Sequence, residues 1–147
     1  MEEIQVLCTL RFNEDLLQSL RAVSSRLRVA QCTCHNAEEV ASALAAHPEI
    51  QVLYTFDLPS NVLELAPHLR WIQLHSAGAE HVLDNPVADS DVAVTTTSGI
   101  HATPLAEYVL ASMLAHRWRV ALWTHCQREG RWPKGRWNLY ARPELRD

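Results

Sequence analysis

Two short stretches concentrate small, hydrogen-bonding residues: His75-Ser76-Ala77-Gly78 and Thr95-Thr96-Thr97-Ser98-Gly99. A glycine at the first lets backbone amides turn toward an anion, and a helical turn behind it adds a positive dipole end. These stretches therefore point to a small-anion site. The competing reading is a plain strand-to-helix connection, which any doubly wound sheet needs. Cys32-Thr33-Cys34-His35 opens like a zinc site, but no second ligand pair follows at suitable spacing. Buried, reduced thiols are expected there instead, and no metal. Ser76 or Ser98 with His75 or His101 would suggest a hydrolase, yet no G-x-S-x-G elbow is present. His101 is expected to pack or cap near a helix.

The elements that must position these groups follow from periodicity. Residues 4–10, 27–33, 50–54, 70–74 and 92–94 read as five short strands. Asn13 can cap a helix whose apolar positions are Leu16, Leu17, Leu20 and Val23, and Asn36 with Glu39 signals a second helix ending near His47. Helical turns are expected over 60–66 and 79–83. A long helix is expected from about Pro104, at its first position, to about Gln127. Glu107 near its start reads as a partner for the helix dipole. Gly130, Pro133, Gly135 and Pro143 mark irregular chain beyond it.

Strands alternating with helices imply right-handed crossovers and a parallel sheet. The expected fold class is α/β: a flavodoxin-like doubly wound parallel sheet of about five strands, covered on both faces and followed by a long interdomain helix. Ligands in such sheets bind beyond the carboxyl ends of the strands, here residues 9–13, 55–59, 75–80 and 95–103.

The net charge of -4, with 20% charged and 48% hydrophobic residues, describes an ordinary globular chain and argues against a nucleic-acid binder. Charge is nonetheless uneven: residues 117–147 hold eight basic and three acidic groups, with Trp118, Trp123, Trp132 and Trp137 among them. Such a basic, aromatic end suits contact with another protein surface. Met1-Glu2-Glu3 does not begin a secretory signal, and Glu107, His116, Arg117 and Arg119 interrupt the longest apolar stretch. A cytoplasmic protein with no membrane span is expected.

The run Pro67-His68-Leu69-Arg70-Trp71-Ile72-Gln73-Leu74-His75-Ser76-Ala77-Gly78-Ala79-Glu80 resembles a segment of the D-isomer-specific 2-hydroxyacid dehydrogenases, of the form P-x-L-[KR]-W-[IV]-Q-x-x-x-A-G-[VA]-[DE]. Val94-Thr95-Thr96-Thr97-Ser98-Gly99-Ile100-His101, followed by Leu105-Ala106-Glu107-Tyr108-Val109-Leu110, is similar to that family's V-T-N-x-x-G-V-H … A-E-x-x-L. Arg128-Glu129-Gly130-Arg131-Trp132 continues the match. Thr96 departs from it, standing where the family often has Asn.

The resemblance implies the substrate-binding lobe of an NAD- or NADP-dependent oxidoreductase that reduces small 2-oxo acids to D-2-hydroxy acids. The amides of Ser76, Ala77 and Gly78 would take the substrate carboxylate, and Thr55 and Phe56 would line the same cleft. Ser98 and Thr103 would face the cofactor, Thr103 nearest the nicotinamide. The family's G-x-G-x-x-G fingerprint does not occur in these 147 residues. Its catalytic arginine, glutamate and histidine follow that fingerprint and are absent with it. Residues 1–103 would then be the lobe, and 104–147 a crossover helix and tail leading toward a nucleotide-binding domain beyond Glu144-Leu145-Arg146-Asp147. Alone, the chain is expected to bind no cofactor and to be inactive. A free-standing small-anion-binding or protein-interaction module is the alternative. Apolar residues surround much of the long helix (Leu105, Val109, Leu110, Met113, Leu114, Val120, Leu122), so a homodimer is expected through it.

Overall fold

The strand and helix periods resolve, in a computed structural model, into an α/β chain of which residues 3–132 are described. The readings made at Pro133, Gly135, Trp137, Pro143 and the last four residues lie outside them. The strands are β1 (Ile4–Cys8), β2 (Leu27–Gln31), β3 (Val52–Thr55), β4 (Trp71–Leu74) and β5 (Ala93–Thr95). They form one sheet in the order β2-β1-β3-β4-β5, with every neighbouring pair parallel. This is the flavodoxin-like order anticipated from the sequence.

Register explains the core. Leu7 pairs with Leu53, Leu53 with Ile72 and Ile72 with Val94, so one face carries a continuous apolar row. Val40, Ala43 and Leu44 of α2 (Ala37–Ala46) and Val62 of α3 (Val62–Leu65) pack onto that row. The chain runs from β1 to β2 in one direction across the sheet and from β2 through β5 in the other. Right-handed crossovers therefore put α1 (Glu14–Ala22) on the opposite face. There it brings the buried Leu17 over the half built from β1 and β2, where Val6 and Cys8 alternate with Leu7 and are buried too. Over the rest of this face Val52, Trp71 and Ala93 make an apolar row beside a polar one. Tyr54, Gln73 and Thr95 stand in register along the polar row. The Trp71 indole donates to Thr95 Oγ1 (2.7 Å), which donates to Gln73 Oε1 (2.8 Å).

Both asparagine caps form as read. Asn13 Oδ1 accepts from the Leu16 amide (2.9 Å) and Asn36 Oδ1 from the Glu39 amide (2.9 Å). Glu39 reaches back to accept from the His35 amide (2.9 Å), one residue earlier than a capping box requires. The turn expected over 79–83 is a 3-10 helix, Glu80–Val82. A second one, Pro86–Asp89, was not anticipated; the buried Asn85 holds it by accepting from Val87 and donating to the Pro59 carbonyl.

The compact sheet unit extends to Ile100, and a second unit begins at His101. In the second, the single long helix expected from the sequence is two: α4 (Ala102–Arg117) and α5 (Val120–Arg128). Arg119 breaks it with φ 49° and ψ 46°, the left-handed conformation that ends many helices, while the Trp123 indole donates to the freed Trp118 carbonyl (2.7 Å). Pro104 is the third helical residue rather than the first, a place where its missing N–H still costs no helical bond. His101 stands at the N-cap position without a side-chain cap bond, and Glu107 falls beyond the first turn, where the dipole is felt least.

Candidate functional site

The carboxyl ends of β3, β4 and β5 bring both sequence blocks together. The Thr97 amide donates to the Ser76 carbonyl (3.0 Å), and the Thr97 hydroxyl donates to the His75 carbonyl (2.9 Å). The loop after β5 is thereby tied to the loop after β4. Gly99 completes the tie: with φ 94° it occupies the third place of a turn closed by the Ile100 amide on the Thr97 carbonyl (3.2 Å). That place in a type II turn demands positive φ and favours glycine.

The decisive feature is what the loop after β4 leaves unpaired. The His75 amide donates to Thr55 (2.8 Å) and the Val82 amide to Ala79 (3.0 Å). Among the described residues nothing accepts from the amides of Ser76, Ala77, Gly78 or Ala79. All four residues are half-buried. Main-chain donors in partly buried positions are normally paired, so a run of four open ones calls for water or a ligand. The Ser76 hydroxyl cannot serve as a further donor while it holds the turn through the Gly78 carbonyl (2.7 Å).

Gly78 itself departs from expectation. It does not adopt positive φ, so the turn does not depend on its backbone freedom. Its missing side chain instead leaves room for the Glu80 carboxylate, whose carbon lies 2.7 Å from where a Cβ would stand. The helical turn behind the loop, three residues of 3-10 helix, is too short for a dipole argument.

Neighbouring side chains frame this edge. Thr55 is fully buried, and its hydroxyl accepts from Thr9 (2.7 Å) while donating to the Asp57 carbonyl (2.8 Å). It supports the edge from beneath; its side chain lines no cleft. Phe56 is exposed and stacks on His81, with ring centroids 6.2 Å apart and planes 11° from parallel. On the other side Tyr54 Oη and His75 Nδ1 share a hydrogen bond of 2.7 Å, and Phe12 packs against Tyr54. Burial first, and then Cys8 nearby, push the Tyr54 phenol upward, so it stays protonated. The pairs Phe56–His81 and Tyr54–His75 were not legible in the sequence, because each joins the ends of separate elements.

Ser98 is exposed, and its amide donates to Thr96 Oγ1 (3.3 Å). Thr103 is the second residue of α4, in the second unit, and is exposed. Residues 9–13, where a mononucleotide-binding sheet places its glycine-rich turn, contain no glycine, and Thr9 is buried. Residues 9–13 thus offer no glycine-rich cradle for the phosphates of a nicotinamide dinucleotide. Cys32 is exposed and Cys34 half-buried, against the expectation of two buried thiols; β2 ends before them and leaves them on the edge. Among the described residues no three His, Cys, Asp or Glu side chains gather as metal ligands would.

A parallel α/β lobe with open amides at its carboxyl edge is the class these features define. No model of a known protein family matches the chain. It is 28% identical over 111 residues to the glyoxylate reductase of Thermofilum pendens (strain DSM 2475 / Hrk 5), a match covering 74% of this chain and 32% of that protein. A D-isomer specific 2-hydroxyacid dehydrogenase family protein from Aeromonas salmonicida subsp. salmonicida A449 superposes with TM-score 0.66 at 22% identity, over 91% of this chain and 42% of that one. An acyclic imino acid reductase, solved with NADPH and D-Arg, superposes with TM-score 0.66 at 12% identity, over 97% of this chain and 46% of that one. At such identities the two solved structures establish the fold. The resemblance to the D-isomer-specific 2-hydroxyacid dehydrogenases is borne out. The chain spans about a third of the length of the curated relative it matches, 32%.

Proposed function

We propose that this chain is the substrate-binding lobe of an NAD(P)-dependent oxidoreductase acting on small 2-oxo and D-2-hydroxy acids, and that its part is to hold the substrate carboxylate. The observation that carries this reading is the run of unpartnered amides at Ser76, Ala77 and Gly78, inside the block that matches the family. Several N–H groups converging on a carboxylate give charge-assisted bonds, which are stronger than neutral ones. Phe56 would bound the same ligand, and Ser98 and Thr103 would meet the cofactor side. Hydride and proton transfer would belong to a nucleotide-binding lobe, so the chain alone would be inactive. The absence of a glycine-rich turn after β1 supports that division of labour. A homodimer through α4 and a cytoplasmic setting complete the reading. Among the described residues no helix is long and apolar enough to cross a membrane.

The test joins the chain to a nucleotide-binding lobe of a 2-hydroxyacid dehydrogenase and measures NADH- and NADPH-dependent reduction of glyoxylate and longer 2-oxo acids. Turnover is expected in the fusion and not in the chain alone. Ala77→Pro, which deletes one donor, should raise KM about tenfold or more. A folded fusion with no turnover on any 2-oxo acid, or an unchanged KM in the variant, would overturn the proposal.

A further inference from the structure

Glu80 is an exposed carboxylate that takes part in no hydrogen bond or ion pair among the described residues. It is nonetheless drawn back over the loop, into the space that a side chain on residue 78 would fill. Four open amides lie in the same turn, and the carboxylate accepts from none of them. The carboxylate therefore adds a negative charge to the same turn that holds the open donors.

We propose that Glu80 is a charge filter over this turn, a movable carboxylate that admits a ligand with one carboxylate and an uncharged remainder and disfavours dicarboxylates. The inference rests on the anion-site reading above and narrows its substrate class. The flexible side chain swings aside as the ligand carboxylate docks on the amides, while the charge stays within a few ångströms. Two unit charges about 4 Å apart in water repel by an amount worth about fivefold in affinity. A second charge on the ligand adds to that penalty, and salt screens it.

The experiment uses the whole chain, labelled with nitrogen-15, and titrates oxamate and oxalate near neutral pH while following the amide signals of Ser76, Ala77, Gly78 and Ala79. Oxamate carries one carboxylate and oxalate two. Glu80→Gln should tighten oxamate about fivefold and oxalate about tenfold, and high salt should shrink both differences. Glu80→Asp, which keeps the charge on a shorter stem, should leave the preference for oxamate in place. Equal affinities in the parent and in Glu80→Gln for both ligands would overturn the filter while leaving the anion site standing. If neither ligand moves those amide signals in any of the three proteins, the anion site falls and the filter falls with it.

Discussion

Gly78 and Gly99 sit in adjoining loops and do different physical work. Gly99 is needed for its backbone, since φ 94° strains any residue with a Cβ. Gly99→Ala should therefore lower stability by about 1 kcal/mol in urea denaturation. Gly78 is needed for space, and what fills that space is the end of a flexible glutamate. Gly78→Ala should cost almost nothing in stability, because Glu80 gives way. Equal losses at both positions would contradict this distinction. Cys34 offers a separate test. Burial first, then Cys32 and Glu39, push its thiol up to about 11. Thiolate is the nucleophile, so Cys34 should resist alkylation at neutral pH and react progressively as pH rises toward that value. Rapid neutral labelling of Cys34, read by mass spectrometry, would contradict the assignment.

Elements turned on caps. Asn13 and Asn36 announce α1 and α2 because an asparagine oxygen reaches an amide three residues on, an interaction local enough to be read from spacing. The break between α4 and α5 has no such signal: neither glycine nor proline stands at Trp118 or Arg119. Arg119 holds a left-handed conformation that costs a residue with a side chain about 1 kcal/mol. Arg119→Gly should relieve that cost and raise thermal stability by about 1 kcal/mol, measured by circular dichroism. A destabilised Arg119→Gly would mean that the break is held by the arginine side chain rather than tolerated in spite of it.

At the scale of the whole molecule, exposed apolar surface is concentrated on one element. No residue of α4 is buried, with Tyr108 71% and Leu105 59% exposed and Val109, Leu110 and Met113 about half exposed. Burying one such side chain is worth about 1.5–3 kcal/mol, so several together can hold a dimer. The chain should therefore self-associate in sedimentation experiments, and Val109→Lys with Met113→Lys should return it to monomer. A parent chain that stays monomeric at high concentration would remove α4 as an association surface.

The sequence alone determined the strand count, the alternation with helices, the two asparagine caps and the pair of blocks that carry the resemblance. All of these are local: a period, a cap spacing or a motif lies within a few consecutive residues. The tertiary structure decided what depends on residues distant in the chain. It placed Thr55 under the edge on Thr9, stacked Phe56 on His81 and tied Thr97 to the loop after β4. It also replaced a backbone role for Gly78 with a steric one and split the long helix at Arg119. Such outcomes follow from which strand ends become neighbours and which space a side chain finds empty, and neither is written in the spacing of residues along one chain.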